Sequence, residues 1–90
     1  MTNIEIEEKV IKTVAKSLGI SVDKITLEKE FIKDLGADSL DVVEIVISLE
    51  ETFKVLVDEN DAEEITDVRS AVEYITKLLN KWQLLILYQR

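Results

Sequence analysis

The sequence predicts an all-α fold, a small four-helix bundle made of three main helices and one short helix, with a long first loop. Apolar residues recur at the three- and four-residue spacing of amphipathic helices, and only residues 54–57 show a competing strand pattern. The 90-residue chain has no proline, two glycines, no repeat and no internal linker. A chain of this length forms one domain with a modest core.

The first helix is predicted over residues 3–18, where apolar and charged positions alternate at helical spacing. Gly19 follows directly and suits the left-handed position at which many helices end. A long connection then spans residues 20–37, with a helical turn expected at 28–34. Loops of this length in compact domains are usually functional or are packed by their own side chains.

The clearest helix is predicted from Ser39 to about Phe53. Asp38 is a suitable N-cap, and Asp41 stands three residues later, so the pair resembles a capping box with Asp in place of Glu. The apolar positions of this helix are Leu40, Val42, Val43, Ile45, Val46, Ile47, Leu49 and Phe53. Its polar stripe consists of Asp41, Glu44, Ser48 and Glu51.

Two further helices are predicted after a break at residues 54–58. A short acidic helix or turn is expected over 58–65, and Asp67 can cap a last helix. The apolar positions of the last helix are Val68, Ala71, Val72, Ile75, Leu78 and Leu79.

The composition changes near the C-terminus, so residues 1–77 are predicted to form the domain and residues 78–90 an apolar tail of unknown role. From Trp82 to Tyr88 the tail is nearly all apolar, but it is too short to span a membrane. Three interpretations stay open: an extension of the last helix, a partner-binding segment, and a cloning or sequence artefact.

Acidic residues are concentrated in the middle of the chain. The net charge is −8, and residues 30–65 contain twelve acidic and two basic residues. Nucleic acid and anionic membranes are therefore not expected as partners, whereas a basic protein surface is. The alternative is a solvated surface that only keeps the chain soluble. Because the N-terminus carries neither a signal peptide nor an Arg-rich transit segment, we expect a cytoplasmic protein, or the mature form of a plastid or mitochondrial-matrix protein.

The composition also argues against catalysis by the chain itself. There is no histidine and no cysteine, so the commonest general base and every thiolate are missing. Ser39, in the stretch DLGADSLD, could be a nucleophile, a helix cap or an attachment point. A nucleophile needs an adjacent base, and the surrounding acids would hold the nearby Lys33 in its charged form. We therefore expect no catalytic residue.

A resident metal site is not expected either. The segment that starts at Asp58 begins like a calcium-binding loop. Its sixth position is Glu63 rather than glycine, and its twelfth is Arg69 rather than glutamate, so it lacks the turn and the bidentate ligand. Weak divalent-cation binding to the many carboxylates stays open.

The segment FIKDLGADSLDVVEIVISLEETF, residues 31–53, resembles the acyl carrier proteins of dissociated (type II) fatty acid synthesis. The resemblance covers residues 4–77, including DAEEITDVRSAVEYI at 61–75, and implies a four-helix bundle that carries substrates without being an enzyme. It implies that Ser39 receives 4′-phosphopantetheine from a separate Mg²⁺-dependent transferase. The thiol of this covalent cofactor would then carry the growing acyl chain as a thioester between fatty acid synthesis enzymes.

The residues around Ser39 agree with this implication. The expected helix N-terminus favours a phosphodiester through its dipole and its free N–H groups. Gly36 permits unusual backbone angles just before the serine. Because the chain has no thiol of its own, a thioester needs one from the cofactor.

The resemblance further implies a docking surface and a space for the acyl chain. Basic patches on the transferase and on the synthesis enzymes would meet the acidic residues Asp38, Asp41, Glu44, Glu50 and Glu51. The acyl chain would be sequestered among Phe31, Ile32, Leu35, Val46, Leu49, Ala62, Ile65, Ala71 and Ile75. The alternative is that these apolar residues only form the core.

The sequence departs from the family pattern in two places. An Ile-Pro-Asp/Glu turn is common in the family after the second helix, and here Val57 and Asp58 stand in that place without proline. The third helix is therefore expected to start differently or to be more mobile. The tail from Leu78 has no family counterpart. A monomer is expected, and self-association through an exposed apolar strip of the tail is the alternative.

Two other functions stay open on the sequence alone. One is a carrier protein of a polyketide, peptide or other specialised acyl pathway. The other belongs to a different class, an unmodified helical adaptor in which Ser39 only caps a helix.

Overall fold

The computed structural model of the protein describes residues 2–88, with side chains as far as Lys81. The chain forms α1 (Asn3–Leu18), a 3₁₀ turn (Val22–Lys24), α2 (Ser39–Phe53), α3 (Glu59–Ala62) and α4 (Val68–Tyr88). Between residues 2 and 88 the only extended pairing is an isolated antiparallel bridge between Glu30 and Asp67. The predicted all-α bundle of three main helices and one short helix is confirmed.

Short-range caps account for the helix ends that the sequence predicts. The Thr2 hydroxyl accepts a hydrogen bond from the Glu5 N–H at the start of α1. Gly19 ends this helix with a φ of 67°, a left-handed conformation that glycine adopts without steric cost. At the start of α4, the Asp67 carboxylate accepts a hydrogen bond from the Ser70 N–H at 2.7 Å, which confirms the predicted cap.

The backbone conformation of the residue that ends α2 is less favourable than that of the residue that ends α1. Lys54 occupies the capping position with a φ of 55°, and its N–H donates to the Glu50 carbonyl. It is the one non-glycine residue with positive φ in the described part of the chain. A side chain in this conformation costs about 1–2 kcal/mol because its Cβ approaches the following carbonyl oxygen.

A single apolar core joins the three long helices, and α1 packs against both α2 and α4. No polar or charged side chain is buried among the described residues. The broad apolar face predicted for α2 is divided between core and surface. Ile45 and Leu49 are fully buried, whereas Leu40, Val43 and Ile47 are exposed. The largest fully buried side chains are Phe31, Ile45, Leu49, Ile65, Ile75, Val10, Val14 and Val68.

The long first loop is packed by its own side chains and is fixed to the start of α4. Ile25, Phe31 and Ala37 in this loop are buried. Two N–H groups that the first turn of α4 leaves free, those of Val68 and Arg69, donate to the Lys29 and Leu27 carbonyls at 3.1 and 3.0 Å. The predicted helical turn appears as turns near residues 27–28 and 31–35, and the 3₁₀ turn was not predicted.

The last helix extends beyond residue 77, where the domain was predicted to end. It continues to Tyr88, and Leu78 and Leu79 are half-buried against the core. Within residues 2–88 no helix is both long enough and apolar enough to cross a membrane. The side chains of 82–88 and the last two residues of the predicted tail lie outside the described part of the chain.

Candidate functional site

Ser39 is the first residue of α2, and a capping box fixes its position. The Asp38 carboxylate accepts a hydrogen bond from the Asp41 N–H at 2.8 Å. The Asp41 carboxylate in return accepts one from the Asp38 N–H at 3.1 Å. This reciprocal pair confirms the predicted capping box with Asp in place of Glu. Both carboxylates are therefore held at the surface on either side of Ser39.

The backbone around Ser39 offers donors to an anion. The capping box uses the N–H groups of Asp38 and Asp41, so the first-turn groups without an intrahelical partner are those of Ser39 and Leu40. They lie at the positive end of the helix dipole, which favours a negative group attached there. The Ser39 side chain itself is exposed, and its hydroxyl forms no hydrogen bond to another described residue. Nothing in this arrangement activates it as a nucleophile.

Gly36 forms a turn shortly before the exposed Ser39. Its φ is 73°, a left-handed conformation that strains other residues, although a Cβ would meet no atom within 4 Å. Directly after this turn the Ala37 N–H donates to the Phe31 carbonyl at 2.9 Å, and Ala37 is buried. The chain is therefore buried at Ala37 and returns to the surface at Asp38 and Ser39.

Ser39 opens onto an apolar groove of about 800 Å³ along one side of α2. The α2 residues that line the groove lie 3, 4, 7, 8 and 11 positions after Ser39, so they form one stripe of the helix. The stripe consists of Ser39, Val42, Val43, Val46, Ile47 and Glu50. The loop before α2 and the region of α3 form the other wall, with Glu30, Ile32, Lys33, Val57, Glu59, Ala62, Glu63, Ile65 and Thr66.

The groove contains some of the residues expected to hold an acyl chain. Ile32, Val46, Ala62 and Ile65 line it. The other expected residues, Phe31, Leu35, Leu49, Ala71 and Ile75, lie in or against the core instead. The sequence interpretation missed Val42, Val43, Ile47 and Val57 as lining residues. For the first three, helical spacing counted from Ser39 would have been a sufficient signal.

The five acidic residues expected to bind partners have different surroundings. Asp38 and Asp41 are engaged in the capping box. Glu44 and Glu51 are exposed, and no hydrogen bond involves their side chains among the described residues. Glu50 is half-buried, and its carboxylate accepts a hydrogen bond from the Val57 N–H at 2.9 Å. Glu50 therefore holds the connection after α2 as well as lining the groove.

The short helix α3 begins without the proline common in the family. Asp58 is its N-cap, with its carboxylate accepting a hydrogen bond from the Asn60 N–H at 2.8 Å. The Tyr74 hydroxyl on α4 donates to the Asp61 carboxylate at 2.8 Å and accepts from the Asp58 N–H at 3.4 Å. Burial, and then the bond to Asp61, raise the pKa of Tyr74 above its ordinary value. One phenol thus joins α3 to α4, a link that the sequence did not reveal.

In the described part of the chain no three acidic side chains are grouped closely enough to hold a metal ion. The calcium-loop candidate that starts at Asp58 instead forms the start of α3.

The chain was compared with models of known protein families. The family model for the phosphopantetheine attachment site matches residues 8–75, which is more than half of the chain. The matched range runs from α1 into α4 and includes Ser39, its loop and the groove.

Proposed function

The chain belongs to the phosphopantetheine attachment site family, and on that premise we propose that it is an acyl carrier protein of dissociated (type II) fatty acid synthesis. Domains of this family are carriers that bear covalently attached 4′-phosphopantetheine and are not enzymes. This chain is therefore a phosphopantetheine-dependent carrier protein.

We assign the attachment to Ser39. The Ser39 oxygen would form the phosphodiester bond with the phosphopantetheine part of coenzyme A, 3′,5′-ADP would leave, and the hydroxyl proton would pass to the transferase. The exposed side chain is accessible to that enzyme, and the free N–H groups at the start of α2 favour the resulting negative charge. When bound, the cofactor supplies the thiol that the chain lacks.

The observation that carries the proposal is the position of Ser39 on the rim of the apolar groove. Val42, Val43, Val46 and Ile47 extend this groove directly from the serine along α2. An arm attached at Ser39 can fold back and place an aliphatic chain against these side chains. Each methylene group removed from water there would contribute up to about 0.8 kcal/mol, which favours an apolar cargo over a polar one.

We propose that partner enzymes dock on the outer side of α2. Glu44 and Glu51 are exposed there, close in sequence to the exposed apolar side chain of Leu40, which does not line the groove. Exposed ion pairs contribute only about 0–1 kcal/mol each, so several basic residues of a partner would produce weak, exchangeable binding. Such binding suits a carrier that visits the transferase and then several synthesis enzymes.

The test is the mass of the intact protein after incubation with coenzyme A and a broad-specificity phosphopantetheinyl transferase. We expect one added phosphopantetheine on the wild-type chain and none on Ser39→Ala. Ser21→Ala is the control, because Ser21 is an exposed serine at the start of a helical turn but neither lines the groove nor belongs to α2, and it should be modified like the wild type. Modification of Ser39→Ala, or none of the wild type, would overturn the assignment.

The pathway is tested separately with the modified protein. It is offered to a malonyl transferase of fatty acid synthesis and, in parallel, to loading enzymes of polyketide and peptide pathways. Faster charging by the fatty acid enzyme is the expected result. Preferential charging by one of the other two would replace fatty acid synthesis by that specialised pathway while leaving the carrier function intact.

A further inference from the structure

The groove ends at a charged residue on the side remote from Ser39. Ser39 and Glu50 are the first and last groove residues on α2. They are eleven residues apart, so the helical rise separates them by about 16 Å. The α2 residues between them that line the groove are Val42, Val43, Val46 and Ile47, all of which are apolar.

Glu50 is held in place by the chain that follows α2. Its carboxylate accepts the Val57 N–H, and Val57 itself lines the groove. Its carbonyl accepts the N–H groups of Lys54 and Val55. Movement of the Glu50 side chain away from the groove would break the bond to Val57, so the carboxylate is a fixed feature of the groove end.

A second hollow of about 570 Å³ lies beyond this point. It is lined by Ile47, Glu50, Glu51, Lys54, Val55 and Leu56. Ile47 and Glu50 are the residues that line both spaces, so they form the partition between the groove and the hollow. Leu56 and Val55 make part of the hollow apolar, and without the carboxylate it would continue the groove.

We propose that the Glu50 carboxylate sets the maximum length of the acyl chain that the groove holds. This inference rests on the proposed function. A chain that grew past Glu50 would remove water from a carboxylate that has a single described hydrogen bond, and this penalty exceeds the gain from burying another methylene. Because the phosphopantetheine arm joins Ser39 to the thioester, the acyl chain occupies only part of this path of about 16 Å. The number of carbons at which the limit falls is therefore read from the experiment.

The experiment uses a series of acyl chains with even carbon numbers from 4 to 18. The phosphopantetheinyl transferase moves the acyl-phosphopantetheine part of each acyl-coenzyme A to Ser39. The mass of the intact protein confirms loading, and the melting temperature of each loaded protein is then measured. For the wild type we expect the melting temperature to rise by up to about 6–12 °C per pair of buried methylenes and to stop rising at a limiting chain length.

Glu50→Gln separates charge from geometry, because its amide oxygen can still accept the Val57 N–H. We expect its melting temperature to continue rising for at least two further carbon pairs. Glu73→Gln is the control: Glu73 is exposed on α4 and lines neither space, so this variant should stop at the wild-type length. The melting temperatures of the unacylated variants show whether each one folds.

Amide hydrogen exchange at Val57 supplies a second readout. We expect its protection to be kept in Glu50→Gln and lost in Glu50→Leu. A longer limit in Glu50→Leu but not in Glu50→Gln would overturn the inference, since the tether and not the charge would then be responsible.

The remaining outcomes separate this inference from the proposed function. An identical limit in the wild type and Glu50→Gln would overturn the role of Glu50 and leave the groove as the acyl site. A flat melting temperature at every length of a loaded wild-type chain would overturn both the acyl site and the length limit. Failure to load Ser39 would overturn the proposed attachment and, with it, this inference.

Discussion

Tyr74→Phe is the change that best tests how the groove wall at α3 is held. The substitution keeps the ring and removes only the hydroxyl, which donates to Asp61 at 2.8 Å and accepts from Asp58 at 3.4 Å. A hydrogen bond to a charged group contributes about 1.5–3 kcal/mol. Asp61 is half-buried and can be rehydrated, and the bond to Asp58 is long, so we take the lower end, about 1.5 kcal/mol.

That free energy predicts a fall in melting temperature of about 6–12 °C, because 1 kcal/mol shifts a domain of this size by about 4–8 °C. Thermal unfolding followed by circular dichroism measures the fall. A double-mutant cycle with Asp61→Ala isolates the bond and should give a coupling of about 1 kcal/mol or more. The matched cycle with Glu64→Ala, an exposed acid next to α3, should be additive to about 0.3 kcal/mol. Additivity in both cycles would refute the role of Tyr74.

The same bond has a pH signature at alkaline pH. Burial and the Asp61 carboxylate raise the pKa of Tyr74 above its ordinary value of 10.0. A group with a raised pKa contributes stability that is complete below the unfolded-state pKa and is lost as the pH rises through the folded-state pKa. The stability advantage of the wild type over Tyr74→Phe should therefore be constant from neutral pH to about pH 10 and decline above it. The difference in ultraviolet absorbance between the two proteins reports the Tyr74 titration separately from the second tyrosine.

Three further predictions concern the loop, the end of α2 and its outer side. Lys54→Gly relieves the left-handed strain and should raise the free energy of unfolding by about 1 kcal/mol in urea titration, and a loss of stability would refute the strain. Gly36→Ala should lower the free energy of unfolding by about 1 kcal/mol, and Gly19→Ala is the comparison at a second left-handed glycine. Unchanged stability would contradict the need for glycine at this positive φ. Glu44→Lys with Glu51→Lys should weaken binding to the transferase at least tenfold at low salt and much less at high salt, and unchanged binding at low salt would exclude this surface.

The structure also determines which acidic residues suit that binding experiment. The sequence placed Asp41 and Glu44 together on a polar stripe, which makes them look equivalent. In the structure Asp41 caps α2, so a change there would lower helix stability as well as any partner binding. Glu44 and Glu51 are exposed and lie outside the capping box, so their replacement tests docking alone.

The elements that the sequence predicted well are those determined by neighbouring residues. Both ends of α1, the start of α2 and the start of α4 follow from a cap or a glycine within three residues of the boundary. The assignment of the attachment to Ser39 rests on the same kind of local evidence, since its stretch contains both the cap and the family motif, and it stays a prediction. Local chemistry was therefore sufficient to predict the helices.

The composition of the groove could not be predicted in the same way. Spacing along α2 separates its faces, but it does not say which apolar face meets the core and which meets the loop and α3. Leu49 and Val46 both looked like pocket residues, yet only Val46 lines the groove. The Tyr74–Asp61 bond and the Glu50–Val57 bond depend on how separate segments pack, and no local pattern in the sequence specifies either contact.

The α3 side is the wall of the groove that can move, and these two bonds hold it in place. The α2 wall belongs to a fifteen-residue helix with a capping box and fully buried side chains at Ile45 and Leu49. The α3 wall is a four-residue helix without a buried residue, too short to persist without tertiary contacts. Tyr74 fixes α3 itself, and Glu50 fixes the chain that leads into it. An acyl chain that is too large for the groove, if the groove holds one as proposed, should therefore displace α3 and break these two bonds before it disturbs α2 or the core.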